Sequence, residues 1–292
     1  MSTISESELL AKVPSQLYIN GQWVDAAGGK TVDVHDPATG LVIKSIADAS
    51  PADGMKALDA AVAAQDAWAA TAPRVRGEIL RKAFDRVQEL KDEFALLMTL
   101  EMGKPLAEAI GEVNYGSEFL RWFSEEAVRI DGDYRRAPSG ANWLLVSREP
   151  VGVSLLATPW NFPAAMATRK MGPALAAGCT VVLKPASDTP LTAIAICDIL
   201  RRAGVPDGVV NVVVPDPPGD AVSAMLASGT VRKLSFTGST EVGITPSILT
   251  TGARLASATG FRIRTTSPSP STVAPAIPTT RESWAPIFFT TT

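Results

Sequence analysis

The chain has 292 residues, of which 46% are hydrophobic and 20% charged, and its formal net charge is −3. This composition is typical of a globular protein of one to three domains, and the scatter of lysines and arginines among acids argues against a nucleic-acid partner. Neither a signal-peptide pattern nor a run approaching the roughly 20 apolar residues of a membrane helix is present, so we expect a cytoplasmic protein.

The first 130 residues divide into a strand-rich part and a helical part. Residues 17–46 alternate short apolar runs with turn signals such as Asn20-Gly21, and they predict a β-rich arm. Apolar residues then recur at spacings of three and four, which predicts helices over residues 51–70, 75–101 and 106–128. Gly103 and Pro105 separate the last two.

Residues 131–150 have a different pattern. They carry the turn Pro138-Ser139-Gly140 between two segments of mixed polar and apolar residues, which predicts a projecting β-hairpin. Such a ribbon usually pairs with another surface.

From residue 151 onward, short apolar runs alternate with helical patterns. The runs are VGVSLLA, TVVLK, VVNVVV and VRKLSF, and amphipathic stretches lie between them. This alternation is typical of βαβ crossovers and predicts an α/β fold with a doubly wound parallel sheet. Beyond Gly243, about half of the residues are Ser, Thr or Pro, so we predict an irregular, low-complexity tail over residues 244–292 that looks foreign to the preceding domain.

The segment ATPWNFPAAMATRKMGPALAAGCTVVLKPASDTP, residues 157–190, covers the first strand-to-helix turn and the second strand of this sheet. In such folds ligands bind beyond the carboxyl ends of the strands, near helix N-termini that favour phosphate. The segment resembles the aldehyde dehydrogenase superfamily. Together with GQWVDAAGG, NYGSEFLRWFSEEA and KLSFTGSTEVG it is similar to bacterial NADP-dependent succinate-semialdehyde dehydrogenases over roughly residues 8–243.

This resemblance implies a Rossmann-like cofactor-binding domain, and it assigns cofactor contacts to Trp160, Lys184, Ser187, Gly238 and Ser239. Many NAD-preferring members have Glu at the position of Ser187, where a carboxylate grips the ribose 2′-hydroxyl. Serine leaves room and a donor for a 2′-phosphate, so we expect NADP, with NAD as the alternative. The residue types also allow simpler roles: a tryptophan packed on the sheet, a solvated lysine at a strand end, and a glycine turn.

Two further residues acquire roles from the same resemblance. Asn161 corresponds to the asparagine of the oxyanion hole, whose amide stabilises charge on the aldehyde oxygen; its residue type would equally suit bracing of a turn. Arg169 is the expected partner for the distal carboxylate of succinate semialdehyde, because a guanidinium binds a carboxylate bidentately. A surface arginine on a helix is the alternative.

The catalytic nucleophile is the main difficulty. The family requires a thiolate, but Cys179 and Cys197 lie in apolar patterns that predict small core residues. They also lack the spacing of a zinc site or a disulfide framework. His35, the only histidine, is expected in a turn, so we predict no His-based triad and no metal site. The family's Gly-Gln-x-Cys and Glu-Leu-Gly-Gly motifs are absent from the sequence.

We therefore divide the chain into four parts. Residues 8–130 are expected to begin the cofactor-binding domain, 131–150 to form an oligomerisation hairpin, 151–243 to form the Rossmann-like part, and 244–292 to be the tail. A truncated or frame-shifted product is the hypothesis that fits this division. Three functions stay open: an active dehydrogenase with an unrecognised nucleophile, an inactive cofactor-binding remnant, and a subunit-interaction module.

Overall fold

The computed structural model describes residues 4–239 and the backbone of two short strands, Arg262–Thr266 and Ile287–Phe289. The helices in these residues are α1 (Glu6–Lys12), α2 (Pro51–Ala70), α3 (Pro73–Glu89), α4 (Lys91–Met102), α5 (Leu106–Glu126), α6 (Pro163–Ala176), α7 (Leu191–Ala203) and α8 (Gly219–Ala227). The strands are β1 (Leu17–Ile19), β2 (Gln22–Val24), β3 (Thr31–His35), β4 (Val42–Ala47), β5 (Asp133–Arg136), β6 (Trp143–Ser147), β7 (Ser154–Ala157), β8 (Val181–Lys184), β9 (Val210–Val212), β10 (Lys233–Phe236), β11 (Arg262–Thr266) and β12 (Ile287–Phe289).

The main sheet is mixed. Its order is β12-β10-β7-β8-β9-β1-β2, with parallel pairing from β12 to β9 and antiparallel pairing of β1 with both β9 and β2. The parallel sheet predicted after residue 151 is confirmed for β7 to β10, and strands of the β-rich N-terminal arm extend it as an antiparallel edge. Asn20 and Gly21 have φ of 50° and 78°, and a two-residue turn of this kind returns the chain directly into an antiparallel partner.

Helices cover both faces of the sheet, as the doubly wound prediction requires. Successive side chains of a strand point to opposite faces, and the buried residues divide accordingly into two apolar clusters. Leu155 and Val182 belong to the cluster that includes residues of α2 and α8, whereas Leu156 and Leu183 belong to the cluster with residues of α6 and α7. Strands β7 and β8 are consequently buried on both sides, which explains their continuous apolar runs.

The helical predictions need correction at one junction. The helix expected over residues 75–101 is two helices, α3 and α4, which meet at Leu90. The Leu90 N–H still donates to the Arg86 carbonyl and the Phe94 N–H to the Leu90 carbonyl. The apolar spacing of three and four therefore runs through the junction and hides it. None of the helices among the described residues is both long and apolar enough to cross a bilayer.

The predicted hairpin is present as β5 and β6, which pair antiparallel from Asp133↔Val146 to Arg136↔Trp143. The Ala137 N–H donates to the Asn142 carbonyl at 2.8 Å and closes the turn. Tyr134 and Trp143 stack with ring centroids 5.0 Å apart, and Tyr134 remains 64% exposed. The ribbon thus presents aromatic surface, while its part in oligomerisation stays a prediction.

Two strands correct the expectation of a wholly irregular tail. β11 pairs antiparallel with β6, and β12 pairs parallel with β10. Both add to open sheet edges, whose unpaired N–H and C=O groups accept even a short segment without any sequence period. The rest of residues 240–292, including Gly243, lies outside the described residues.

Candidate active site

Three turns leave the same edge of the main sheet. Ala157 at the end of β7 lies level with Lys184 at the end of β8 and with Phe236 at the end of β10. The segments that follow these strands carry most of the residues singled out in the sequence. Because parallel strands direct their carboxyl ends to one side, the turns meet at the edge where open α/β sheets bind ligands.

Asn161 lies in the first of these turns and is held there through its backbone. Its carbonyl oxygen accepts a hydrogen bond from Lys104 Nζ at 3.1 Å, and the preceding carbonyl of Trp160 accepts one from Thr189 Oγ1 at 3.1 Å. The Asn161 Oδ1 atom is buried and accepts no hydrogen bond from the described residues. This oxygen therefore does not brace the turn through a hydrogen bond to the described residues.

A buried ion pair supports this turn and the helix after it. Lys104 and Glu112 are both buried and pair directly. Glu112 Oε1 also accepts the N–H groups of Ala164 at 2.9 Å and Ala165 at 3.1 Å in the first turn of α6. Sequence reasoning missed this pair, because a lysine and a glutamate at a helix are ordinarily assigned to the surface.

A second buried carboxylate closes the N-terminus of α7. Glu101 is 2% exposed and accepts the N–H groups of Leu191 at 2.6 Å and Thr192 at 2.9 Å. Burial raises the pKa of Glu101 to about 7, against the lowering effect of these hydrogen bonds. Two N–H groups at the start of α6 and two at the start of α7 thus already donate to protein carboxylates, which leaves them unavailable to a phosphate.

Trp160 and Lys184 lie at the same edge of the sheet, in the turn after β7 and at the end of β8. Trp160 is 54% exposed, which rules out the reading of a tryptophan packed on the sheet. Lys184 is half-buried at the end of β8 rather than fully solvated. Burial lowers the pKa of its ammonium, and the nearby Asp188 and Asp216 oppose that shift.

Ser187, in the turn after β8, has a partner that the sequence did not reveal. Its Oγ donates to Asp216 Oδ1 at 3.1 Å. Asp216 follows β9, so this bond joins the carboxyl ends of two neighbouring strands. The proton that we expected Ser187 to offer to a 2′-phosphate is thus donated to a carboxylate.

Gly238 and Ser239 follow β10 at the same edge. A Cβ atom at position 238 would lie 2.6 Å from Cζ of the Phe236 ring, so a larger residue there would require this ring to shift. Ser239 is exposed. A phosphate contact for either residue stays a prediction.

Arg169 lies in α6, about two helical turns beyond Asn161. It is half-buried, and its guanidinium carbon lies 5.7 Å from the centroid of the Phe119 ring. No carboxylate pairs with it among the described residues. Its neighbour Lys170 is buried, donates to Ser235 Oγ at 3.0 Å and has a pKa lowered to about 8, chiefly by burial.

Both cysteines are buried, as predicted. Cys197 packs in the apolar cluster that contains α7, and burial raises its pKa strongly. Burial also raises the pKa of Cys179, although backbone N–H groups near it favour the thiolate. Since the thiolate is the nucleophilic form, neither side chain is poised for attack on an aldehyde.

The fold is an α/β fold with a mixed, mostly parallel sheet, and the candidate residues lie at the carboxyl edge of its parallel strands. The sequence model of the aldehyde dehydrogenase family matches residues 23–255 of the chain. The chain therefore belongs to that family.

Among individual relatives, the chain is 58% identical over 202 residues to a succinate-semialdehyde dehydrogenase of Paenarthrobacter nicotinovorans, a match that covers 69% of this chain and 45% of the relative. It is 50% identical over 228 residues to the NADP(+) succinate-semialdehyde dehydrogenase of Escherichia coli, covering 78% of this chain and 47% of the relative. The crystal structure of a Burkholderia pseudomallei succinate-semialdehyde dehydrogenase matches with a TM-score of 0.80 and 43% identity, over 86% of this chain and 52% of that one. The chain spans about half the length of these relatives.

Proposed function

We propose that the chain binds NADP, or alternatively NAD, at the carboxyl edge of its main sheet, as the cofactor-binding part of a succinate-semialdehyde dehydrogenase. The level ends of β7, β8 and β10 carry the proposal, because they bring the candidate residues to one edge. An exposed indole at Trp160 and a half-buried ammonium at Lys184 fit the aromatic and anionic parts of a dinucleotide. The cofactor, when bound, supplies the acceptor for the hydride of the aldehyde.

The chain's own residues would serve the substrate as follows. Asn161 would donate its side-chain amide N–H to the developing oxyanion, and its place in the turn after β7 supports this proposal. Arg169, without a carboxylate partner among residues 4–239, would bind the distal carboxylate of a semialdehyde. The Paenarthrobacter nicotinovorans and Escherichia coli relatives are both succinate-semialdehyde dehydrogenases, which supports this substrate class.

We further propose that this polypeptide alone binds cofactor without oxidising the aldehyde. The reaction needs a thiolate to attack the carbonyl carbon, and both thiols of the chain are buried with raised pKa values. A cytoplasmic location is part of the same proposal.

The test combines binding with turnover. Purified chain is titrated with NADPH and NADH by fluorescence, and NADP⁺ reduction is followed with succinate semialdehyde. We expect binding without turnover. Lys184→Met should weaken binding, whereas Lys82→Met, on the distant helix α3, should not. Absence of binding to either cofactor would overturn the proposal, and turnover that Cys179→Ala or Cys197→Ala abolishes would overturn the assignment of both cysteines to the core.

A second candidate function is a subunit-interaction module. The aromatic surface of β5 and β6, with Tyr134 and Trp143 stacked and exposed, favours it. If this ribbon pairs with an intact subunit, the chain should co-elute with a purified full-length succinate-semialdehyde dehydrogenase in size-exclusion chromatography. Tyr134→Ser with Trp143→Ser should abolish co-elution, and unchanged elution of the wild type would exclude the function.

A further inference from the structure

The inference concerns Asp216 and rests on the proposed dinucleotide site. Asp216 Oδ1 lies 3.1 Å from Ser187 Oγ, and β8 and β9, which precede these residues, are neighbouring parallel strands with Leu183 level with Val212. Position 187 is where a carboxylate would grip the ribose 2′-hydroxyl of NAD. A carboxylate therefore stands within hydrogen-bond distance of that position, although it comes from the following strand.

The Asp216 segment is held in place on both sides. Its backbone N–H donates to Asp48 Oδ1 at 2.9 Å, and the Ala49 N–H donates to the Val214 carbonyl at 2.9 Å. Pro215 and Pro217 flank it, and each proline ring fixes its own φ. The Asp216 carboxylate is exposed, so it is available to a ligand while its backbone position is restrained.

The charges around this position are predominantly negative. Lys184 is the cation at the end of β8, and its pKa reflects the carboxylates of Asp188 and Asp216. Asp48 lies against the Asp216 backbone. A phosphate monoester carries about −1.5 to −2 charges at neutral pH, so it meets repulsion here, whereas a neutral hydroxyl finds an acceptor.

We propose that Asp216 is a determinant of cofactor choice that accepts the ribose 2′-hydroxyl of NAD and weakens binding of the 2′-phosphate of NADP. It thereby opposes the preference for NADP that the small Ser187 side chain gives. The sequence motif alone suggests NADP, and the structure adds a residue that limits this preference and lets the chain bind both dinucleotides.

The experiment compares NADPH and NADH binding to wild type, Asp216→Asn and Asp216→Ser by fluorescence titration at fixed ionic strength. Removing one unit charge close to a nearly divalent phosphate should tighten NADPH binding roughly tenfold. NADH binding should stay the same or weaken. Asp220→Asn, which makes the same charge change four residues along in α8, should alter the NADPH to NADH ratio less than about twofold.

The possible outcomes separate the two proposals. If wild type binds neither dinucleotide, the proposed function fails. If wild type binds, but both Asp216 variants leave the NADPH to NADH ratio unchanged, the role of Asp216 is wrong while the site stands. An equal shift for Asp220→Asn would also refute the local role. A higher NADPH to NADH affinity ratio in both the Asn and the Ser variant, each with a native circular dichroism spectrum, supports the role of Asp216.

Discussion

The N-termini of α6 and α7 are both capped by a buried glutamate, but only the glutamate at α6 has a cation beside it among the described residues. Each helix begins at the carboxyl edge of the sheet and has its first N–H groups accepted by a buried glutamate from another helix, Glu112 for α6 and Glu101 for α7. Glu112 has a buried cation, Lys104, in direct contact. Among the described residues no cation pairs with Glu101. The comparison separates the effect of the cap from the effect of its counter-charge.

The largest effect is expected from Lys104→Met. The substitution leaves the Glu112 carboxylate buried without its cation, which should lower the free energy of unfolding by about 3–5 kcal/mol. Urea denaturation measures the loss. Lys104→Met combined with Glu112→Gln removes the charge but keeps an acceptor, and should recover most of it. The matched control Arg81→Met breaks an exposed pair with Asp85 and should cost less than about 1 kcal/mol; an equal loss there would contradict the argument.

Glu101 should make stability depend on pH. Its folded-state pKa of about 7 lies above its ordinary value because burial disfavours the charged form. Its contribution is therefore fully present below the unfolded pKa and is lost as the pH rises through about 7. The free energy of unfolding of wild type should fall on the order of 2–3 kcal/mol relative to Glu101→Gln between pH 4.5 and 7.5. Parallel pH profiles for the two proteins would show that Glu101 does not titrate in this way.

The smallest effect tests a cap at the surface. Ser5 and Glu8 form a reciprocal capping box at α1, with the Glu8 N–H donating to Ser5 Oγ at 3.3 Å and the Ser5 N–H donating to Glu8 Oε2 at 2.9 Å. Ser5→Ala should destabilise the chain by about 0.5–1 kcal/mol, because water can replace the lost acceptor. If Ser5→Ala lowered the free energy of unfolding as much as Lys104→Met, burial would not explain the difference between the exposed cap of α1 and the buried Lys104–Glu112 pair at α6.

The same contrast explains what the sequence could and could not predict. Continuous apolar runs predicted β7, β8 and β9, because these strands are buried on both faces. The role of Glu101 was hidden, because its N–H partners lie about ninety residues away and no local pattern marks them. The contact between Asp216 and Ser187 was hidden for the same reason, because only the pairing of β8 with β9 brings the two residues together. Motifs located the edge of the sheet, and tertiary contacts determined which groups there remain free.

The burial of both cysteines also has a practical consequence. Cys197 is fully buried and Cys179 nearly so, so a thiol reagent can reach them only when the surrounding structure opens. The rate of labelling would then measure how often the body of the chain opens in native buffer. Cys197→Ala would leave Cys179 as a probe at the entry to β8, and Cys179→Ala would leave Cys197 as a probe inside α7. Neither variant adds a label to the surface.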